Sequence, residues 1–339
     1  MDRRRVRPTV EQVAERAGVS KATVSNALNG TGRLSPETRR RVIAAAHELS
    51  YVPYTSAFAQ ARGGTGMLGL TMAIFGDLAV PYTQNPYYSE LILGAIGAAH
   101  ARGYLLTVLP ATMSAWSWLT TPVDGVVHCE PRLSDPVRPI LERRGIPLVY
   151  AGRPPEPRAD DFWVDTDDGQ GLVGLLDHLR HGGARTAVAA VLPDHDDAYP
   201  AILRETYLAW CRAVGQEPIY TTFAPDNHRG AERAAISTLL GRPTPPDAVV
   251  GVYTYSGLFL LEAARAHGLA VPADLAIGCF SDDPKNAHLD PPVTTVSMRP
   301  ADVGAESTDL LIDLIHQRKR IRRQRLLPTV LHVRASSAG

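Results

Sequence analysis

The chain has 339 residues, no formal net charge, 45% hydrophobic and 21% charged residues, a length beyond one ordinary core and a composition that excludes a disordered or fibrous chain. Its three cysteines, Cys129, Cys211 and Cys279, are odd in number and lack CxxC spacing, which argues against a disulfide framework or a zinc site. The zero charge divides unevenly: residues 1–62 hold eleven Lys/Arg against five Asp/Glu, so a basic head precedes an acidic body, the electrostatic footprint of a polyanion binder.

Arg3, Arg4, Arg5 and Arg7 open the chain, but no apolar run of signal-peptide length follows. No later segment reaches ~18 uninterrupted apolar residues, so a cytoplasmic protein is expected. Thr9 stands ready to cap a helix in which Val10, Val13, Ala14 and Ala17 form an apolar stripe at i, i+3, i+4 and i+7. Gly18-Val19 breaks it. Ser20 caps a second helix, Lys21 to Leu28, with Val24 and Leu28 inward and Lys21, Ala22, Ser25 and Asn26 outward. Asn29-Gly30-Thr31-Gly32 supplies a turn, and Ser35-Pro36-Glu37 starts a third helix reaching about Ser50, with Val42, Ile43, Ala46 and Leu49 as its apolar face. Two short helices joined by a glycine turn and braced by a third follow the helix-turn-helix plan.

After Gly63-Gly64, short apolar runs alternate with helical stretches. Strands are expected at Met67 to Ile74, Leu105 to Leu109, Gly125 to Val127, Pro147 to Tyr150, Thr186 to Leu192, Ala248 to Val252 and Leu275 to Phe280, with a helix from Tyr87 to Arg102 and others between. Such alternation predicts parallel sheets covered by helices, with ligands at the carboxyl ends of the strands.

The run Val13-Ala14-Glu15-Arg16-Ala17-Gly18-Val19-Ser20-Lys21-Ala22-Thr23-Val24-Ser25, then Leu28-Asn29-Gly30, Ser35-Pro36-Glu37-Thr38-Arg39 and Tyr51-Val52-Pro53, closely resembles the head of the lactose-repressor and purine-repressor (LacI/GalR) family. Looser matches continue through the body at Asn85-Pro86-Tyr87-Tyr88, Val123 to Val127, Gly268 to Asp274, Pro291 to Val296 and Arg334-Ala335-Ser336. The resemblance implies an α/β protein with a small all-α helix-turn-helix head and a periplasmic-binding-protein-like (type I) body of two doubly wound α/β subdomains. It implies a DNA-binding domain over 1–50, a hinge over 51–64, and an effector-binding and dimerisation domain over 65–339 with crossovers near 164, 290 and 325. Between Pro110 and Thr121 the chain is shorter than the family's usual connection, so a truncated or missing peripheral helix is expected.

By the same resemblance, Lys21, Ala22 and Asn26 stand where members read base edges, and Thr9, Ser20, Thr23, Ser25, Asn29, Ser35 and Thr38 where they meet phosphates. Tyr51, Ala57 and Gln60 complete the DNA-facing set. Asn26 departs from a common arginine, and Gln60 replaces the leucine that wedges into the minor groove. In the body, Tyr87, Tyr88, Asp167 and Arg204 match effector-cleft positions, while Thr254 and Ser281 stand where aspartates are expected.

The implied function is a sequence-specific regulator, by family habit a repressor of a metabolic operon. It would bind a pseudo-palindromic operator as a homodimer and respond to a sugar, nucleoside or other metabolite, with no cofactor or metal. After Ser336 only Ser337, Ala338 and Gly339 remain, too little for a tetramer-forming heptad tail, so no higher assembly is expected. An enzyme is opposed by the absence of GxSxG, GxxxxGK[ST] and HExxH, and Gly169-Gln170-Gly171 reads as a helix-entry turn only. Asp194-His195-Asp196-Asp197 reads as a solvated loop rather than a metal site, because consecutive side chains rarely converge on one ion. A solute-binding protein would share the body but needs a secretory signal and has no use for a basic head.

Overall fold

The computed structural model describes residues 9–28, 32–49, 64–72, 85–110, 113, 117–118, 121–131, 133, 137–182, 187–194, 198–224, 230–318 and 321–338. The chain folds as two units, one running to Met67 and taking in Pro122–Asp124, the other comprising the rest.

The first unit contains α1 (Val10–Ala17), α2 (Lys21–Leu28) and α3 (Pro36–Glu48). A capping box starts α1: Gln12 N donates to Thr9 Oγ1 at 3.4 Å and Thr9 N to Gln12 Oε1 at 2.8 Å. Gly18, at φ +62°, ends it in the left-handed conformation that favours glycine. Ser20 accepts from Thr23 N at 3.2 Å and Ser35 from Thr38 N at 3.1 Å, satisfying amide donors at the starts of α2 and α3. Val13, Ala14, Ala17, Val24, Ala27, Val42, Ala45 and Ala46 form the core. The expected inner face of α3 is corrected at one place: Ile43 is 50% exposed and Ala45 lies inside. On α2, Ala27 is buried beside Val24, whereas Leu28 is half-buried.

The second unit holds two six-stranded sheets. In chain order the strands are β1 (Met67–Met72), β2 (Leu105–Pro110), β3 (Gly125–Cys129), β4 (Leu148–Ala151), β5 (Trp163–Thr166), β6 (Val188–Pro193), β7 (Tyr220–Phe223), β8 (Ala248–Gly251), β9 (Ala276–Phe280), β10 (Thr294–Ser297), β11 (Gln324–Leu327) and β12 (Val330–His332). The first sheet runs β11-β5-β4-β3-β1-β2 and the second β12-β10-β9-β8-β6-β7. The β1–β3, β3–β4, β4–β5, β5–β11, β6–β7, β6–β8, β8–β9 and β9–β10 pairs are parallel, and β10–β12 is antiparallel. Parallel neighbours require crossovers, supplied here mostly by helices, whereas β4 and β5 are joined by the helix-free stretch 152–162.

These helices are α4 (Pro86–Ala101), α5 (Val137–Arg144), α6 (Asp168–His181), α7 (Ala198–Val214), α8 (Gly230–Leu240), α9 (Ser256–Ala266) and α10 (Pro300–Ile315). Leu91, Ala95 and Ala99 of α4 and Val303, Leu310 and Leu311 of α10 bury one face of the first sheet against Leu68, Leu70, Val127 and Val149. The second sheet is covered on both faces, by α6 and α7 against Val188, Ala190, Leu192 and Val250, and by α8 and α9 against Ala189, Val191, Val249 and Ile277. Adjacent strand residues thus serve opposite cores, the period of two that a doubly covered sheet demands. Each fully buried leucine of these layers contributes ~1.5–3 kcal/mol against solvent exposure. The chain passes from the first sheet to the second after β5, returns after β10 and crosses again between β11 and β12. The expected shortening between Pro110 and Thr121 falls mostly outside the described residues.

Candidate functional site

In the head, α2 presents Lys21, Ala22 and Ser25 to solvent, with Thr23 and Asn26 half-buried. Thr9, Ser20, Ser35 and Thr38 occupy helix starts, where hydroxyls and free amides together suit an anion. The Ser20 and Thr23 hydroxyls are 2.9 Å apart and those of Ser35 and Thr38 2.8 Å apart. Lys21 Nζ is ion-paired with Glu11 at the start of α1, and this contact holds the Glu11 carboxyl below its ordinary range. Arg41 Nε donates to the Ala17 carbonyl at 2.9 Å, tying α3 to the end of α1. Asn29, Tyr51, Ala57 and Gln60 lie outside the described residues.

In the body, the carboxyl ends of β3 and β5 and the start of α4 bring together an aromatic and acidic cluster. Tyr87 and Tyr88 stack edge-on with centroids 5.4 Å apart, and Tyr88 Oη donates to Glu130 Oε2 at 2.5 Å. Burial, with the nearby Glu130 charge, raises both phenols well above their ordinary pKa. Glu130 directly follows β3 at φ +50°, a backbone strain that non-glycine residues rarely carry and that recurs at ligand sites. Asp165 accepts from Arg153 N and Thr166 N at 2.9 and 2.8 Å, and burial pushes its carboxyl up to about 6. Asp168 accepts from Thr166 Oγ1 at 2.7 Å and is raised further, by burial and then by the Asp165 charge. Asp167 is exposed and caps α6 by accepting from Gln170 N at 3.1 Å, so its visible role is to shape the loop.

The second sheet contributes from its carboxyl ends. Arg204 on α7 pairs with Asp194 at 3.2 Å, while its Nε is buried and finds no partner. Thr254 Oγ1 donates to Asn85 Oδ1 at 3.3 Å, a link from the loop after β8 to the cap of α4. Ser281 is committed to its own loop: its hydroxyl donates to the Thr254 carbonyl at 2.8 Å and accepts from Asp283 N and Asn286 Nδ2 at 3.1 and 3.0 Å. One donor and two acceptor sites are then all used, leaving nothing for a ligand. Asp282 accepts from Ser297 Oγ at 2.5 Å and Met298 N at 3.2 Å, and burial raises its pKa. Tyr199 Oη donates to the Val252 carbonyl at 2.7 Å.

Sequence reasoning missed Glu130, Asp165, Asp168 and Tyr199. Glu130 and Asp168 each follow a strand end closely, which is where an open parallel sheet gathers its ligands, and that position was the available signal. No group of three or more His, Cys, Asp or Glu among the described residues is placed to hold a metal ion. No helix among them is long and apolar enough to cross a membrane.

Residues 9–54 match the family described as bacterial regulatory proteins, lacI family, and residues 176–337 match the periplasmic binding protein-like domain. The HTH-type transcriptional regulator CelR of Thermobifida fusca is 31% identical over 323 residues, 93% of this chain and 94% of that protein. The HTH-type transcriptional repressor CytR of Escherichia coli (strain K12) is 27% identical over 338 residues, 97% of this chain and 96% of that protein. A solved transcriptional regulator CelR-cellobiose complex superposes with TM-score 0.72 at 29% identity, over 97% of this chain and 100% of that one. The lac repressor dimer bound to operator and the anti-inducer ONPF superposes with TM-score 0.80 at 20% identity, over 98% of this chain and 100% of that one, a likeness of fold.

Proposed function

The chain belongs to the lacI family of bacterial regulatory proteins, and on that premise we propose that it is a transcriptional repressor that binds a pseudo-palindromic operator as a homodimer and is released or retained by a small molecule in the cleft of its body. Its members are DNA-binding regulators, which removes the enzyme reading. The observation that carries the proposal is the head, whose α2 carries Lys21, Ala22 and Ser25 outward on a three-helix core in which each helix starts on a capping hydroxyl. Such a helix enters the major groove, and two heads related by a two-fold axis match two half-sites. The division proposed is a DNA-binding domain over 1–50, a hinge over 51–64 and an effector and dimerisation domain over 65–339. Its place of action is the cytoplasm, where the operator is.

The effector is proposed to be a sugar. Tyr87, Tyr88, Glu130, Asp168 and the unpartnered Arg204 Nε offer aromatic faces, acceptors and a donor, a set that suits a polyhydroxyl ligand. The CelR complex, whose ligand is cellobiose, makes that disaccharide the first probe. Thermal melts of the full chain with cellobiose, other sugars and nucleosides test the cleft, because a ligand of the folded state raises the melting temperature. Affinity selection from a randomised palindromic duplex library tests the head. Failure to enrich any site would overturn the regulator reading, and a panel in which only nucleosides shift the melt would overturn the sugar.

A further inference from the structure

Glu11 and Lys21 come from different helices and meet on the open side of the head, with side chains 54% and 61% exposed. An exposed ion pair adds little to fold stability, and α1 and α2 are already joined through Val13, Ala17, Val24 and Ala27. The pair instead sits beside the first turn of α2, with Lys21 as the first residue of that helix. A carboxylate there is repelled by phosphates and would weaken DNA binding unless it has a specific task.

We propose that Glu11 is a specificity-determining positioning residue: it holds the Lys21 ammonium for base readout and keeps it from binding phosphate on non-operator DNA. The inference rests on the reading of α2 as the helix that faces DNA. An ammonium has three donors, so Lys21 can keep one on Glu11 and offer the others to base acceptors such as guanine O6 and N7. On a non-matching sequence an unrestrained lysine would swing to the nearest phosphate, releasing a counterion and gaining sequence-independent affinity. Glu11 opposes that swing twice, by retaining the ammonium and by repelling the phosphate. The cost falls on random DNA, and discrimination rises.

Glu11→Gln, Lys21→Ala, the double variant and Glu15→Gln are compared in the full chain, against the selected operator and a duplex of random sequence, over a series of salt concentrations. Glu15 is exposed on the same helix and controls for the loss of one negative charge. Glu11→Gln is expected to raise random-duplex affinity about twofold to fivefold beyond Glu15→Gln. Its log–log salt slope should steepen by about 0.9, one further phosphate contact, and the operator-to-random ratio should fall. In the Lys21→Ala background the excess over Glu15→Gln should vanish. If Lys21→Ala weakens operator binding but Glu11→Gln behaves like Glu15→Gln, the proposal is overturned and the DNA-facing reading stands. If Lys21→Ala changes neither affinity, α2 does not face DNA, and both fall.

Discussion

A Cβ atom on Gly94 would lie 1.9 Å from the carbonyl oxygen of Ala301, because α4 and α10 pack with their backbones almost in contact. Gly304 repeats the relationship from the other side, its absent Cβ falling 2.0 Å from the Leu91 carbonyl oxygen. Both obstacles are main chain and cannot rotate away. Gly94→Ala and Gly304→Ala should therefore each destabilise the body by ~3 kcal/mol or more, the upper range of overpacking. Gly97, on the same helix, has open space where a side chain would go, so Gly97→Ala should be neutral or gain up to ~1 kcal/mol from helix propensity. Urea melts of the three variants check this, and equal stability of Gly94→Ala and Gly97→Ala would refute the close approach.

The acidic cluster predicts a pH dependence of stability. The folded Asp165 carboxyl is raised from 3.8 to about 6, so the folded state holds its proton more tightly than the unfolded chain. That contribution is fully present below the unfolded value and is lost as pH rises through about 6. The wild type should lose ~1–3 kcal/mol between pH 4 and 7 from this group. Asp168 and Asp282 are shifted the same way and add to the slope. Asp165→Asn removes one titrating group and should flatten the profile over that window, although it forfeits one of the two backbone hydrogen bonds. Denaturant melts at stepped pH decide the matter; a variant as steep as the wild type would exclude Asp165 as a source.

How far the sequence discloses this molecule differs between its parts. The head is legible to within a residue or two because each helix starts on its own cap, Thr9, Ser20 or Ser35, and a capping signal is local. Ile43 and Ala45 exchange places because the core of three short helices is built of small residues, and size alone does not reveal which side an alanine faces. Central strands such as β3 and β8 are readable as buried apolar runs. The half-buried β11, the exposed β12 and the partly exposed β7 carry no such run and are not legible, and neither are the short buried strands β5 and β10, in which Asp165, Thr166, Thr294, Thr295 and Ser297 interrupt the apolar pattern. Around Tyr87 and Tyr88 the carboxylates of Glu130, Asp165 and Asp168 are not legible in the sequence, because their convergence depends on the ends of β3 and β5 meeting in space.

Arg204 supplies the third prediction. Its Nε is buried without a partner while a neighbouring nitrogen holds Asp194, a guanidinium partly paired and partly available. Arg204→Ala should weaken binding of whichever sugar shifts the thermal melt by roughly one to two decades, the worth of a charge-assisted hydrogen bond. Operator affinity of the effector-free protein should stay nearly unchanged. Titration calorimetry with the sugar and a gel-shift series without it separate the two effects, and unaltered sugar affinity removes Arg204 from the site.

The last prediction links the turn after α2 to the bases. Gly32 sits at φ +73°, and a Cβ there would come within 2.9 Å of Asn26 Nδ2 and 3.1 Å of Asn26 Cγ. The Asn26 amide is therefore seated against Gly32, and a methyl group at position 32 would push it aside rather than dismantle the helix, because the obstructing atoms are the far end of a flexible side chain and not main chain. Asn26→Ala should cost ~1–3 kcal/mol on the selected operator and relax preference at one base pair per half-site. Gly32→Ala should relax the same base pair, with a further ~1–2 kcal/mol of head stability lost to the left-handed backbone. Lys21→Ala should relax a different base pair, since it lies at the other end of α2. Arg39→Ala, whose guanidinium lies 3.5 Å from the Ala27 carbonyl, should weaken all sequences alike without shifting any preference. Affinity selection with wild type and the four variants at one salt concentration tests all of this together. Should Asn26→Ala and Lys21→Ala recover the wild-type site with unchanged preferences, α2 does not read the bases, and specificity must come from the hinge or the N-terminal arginines.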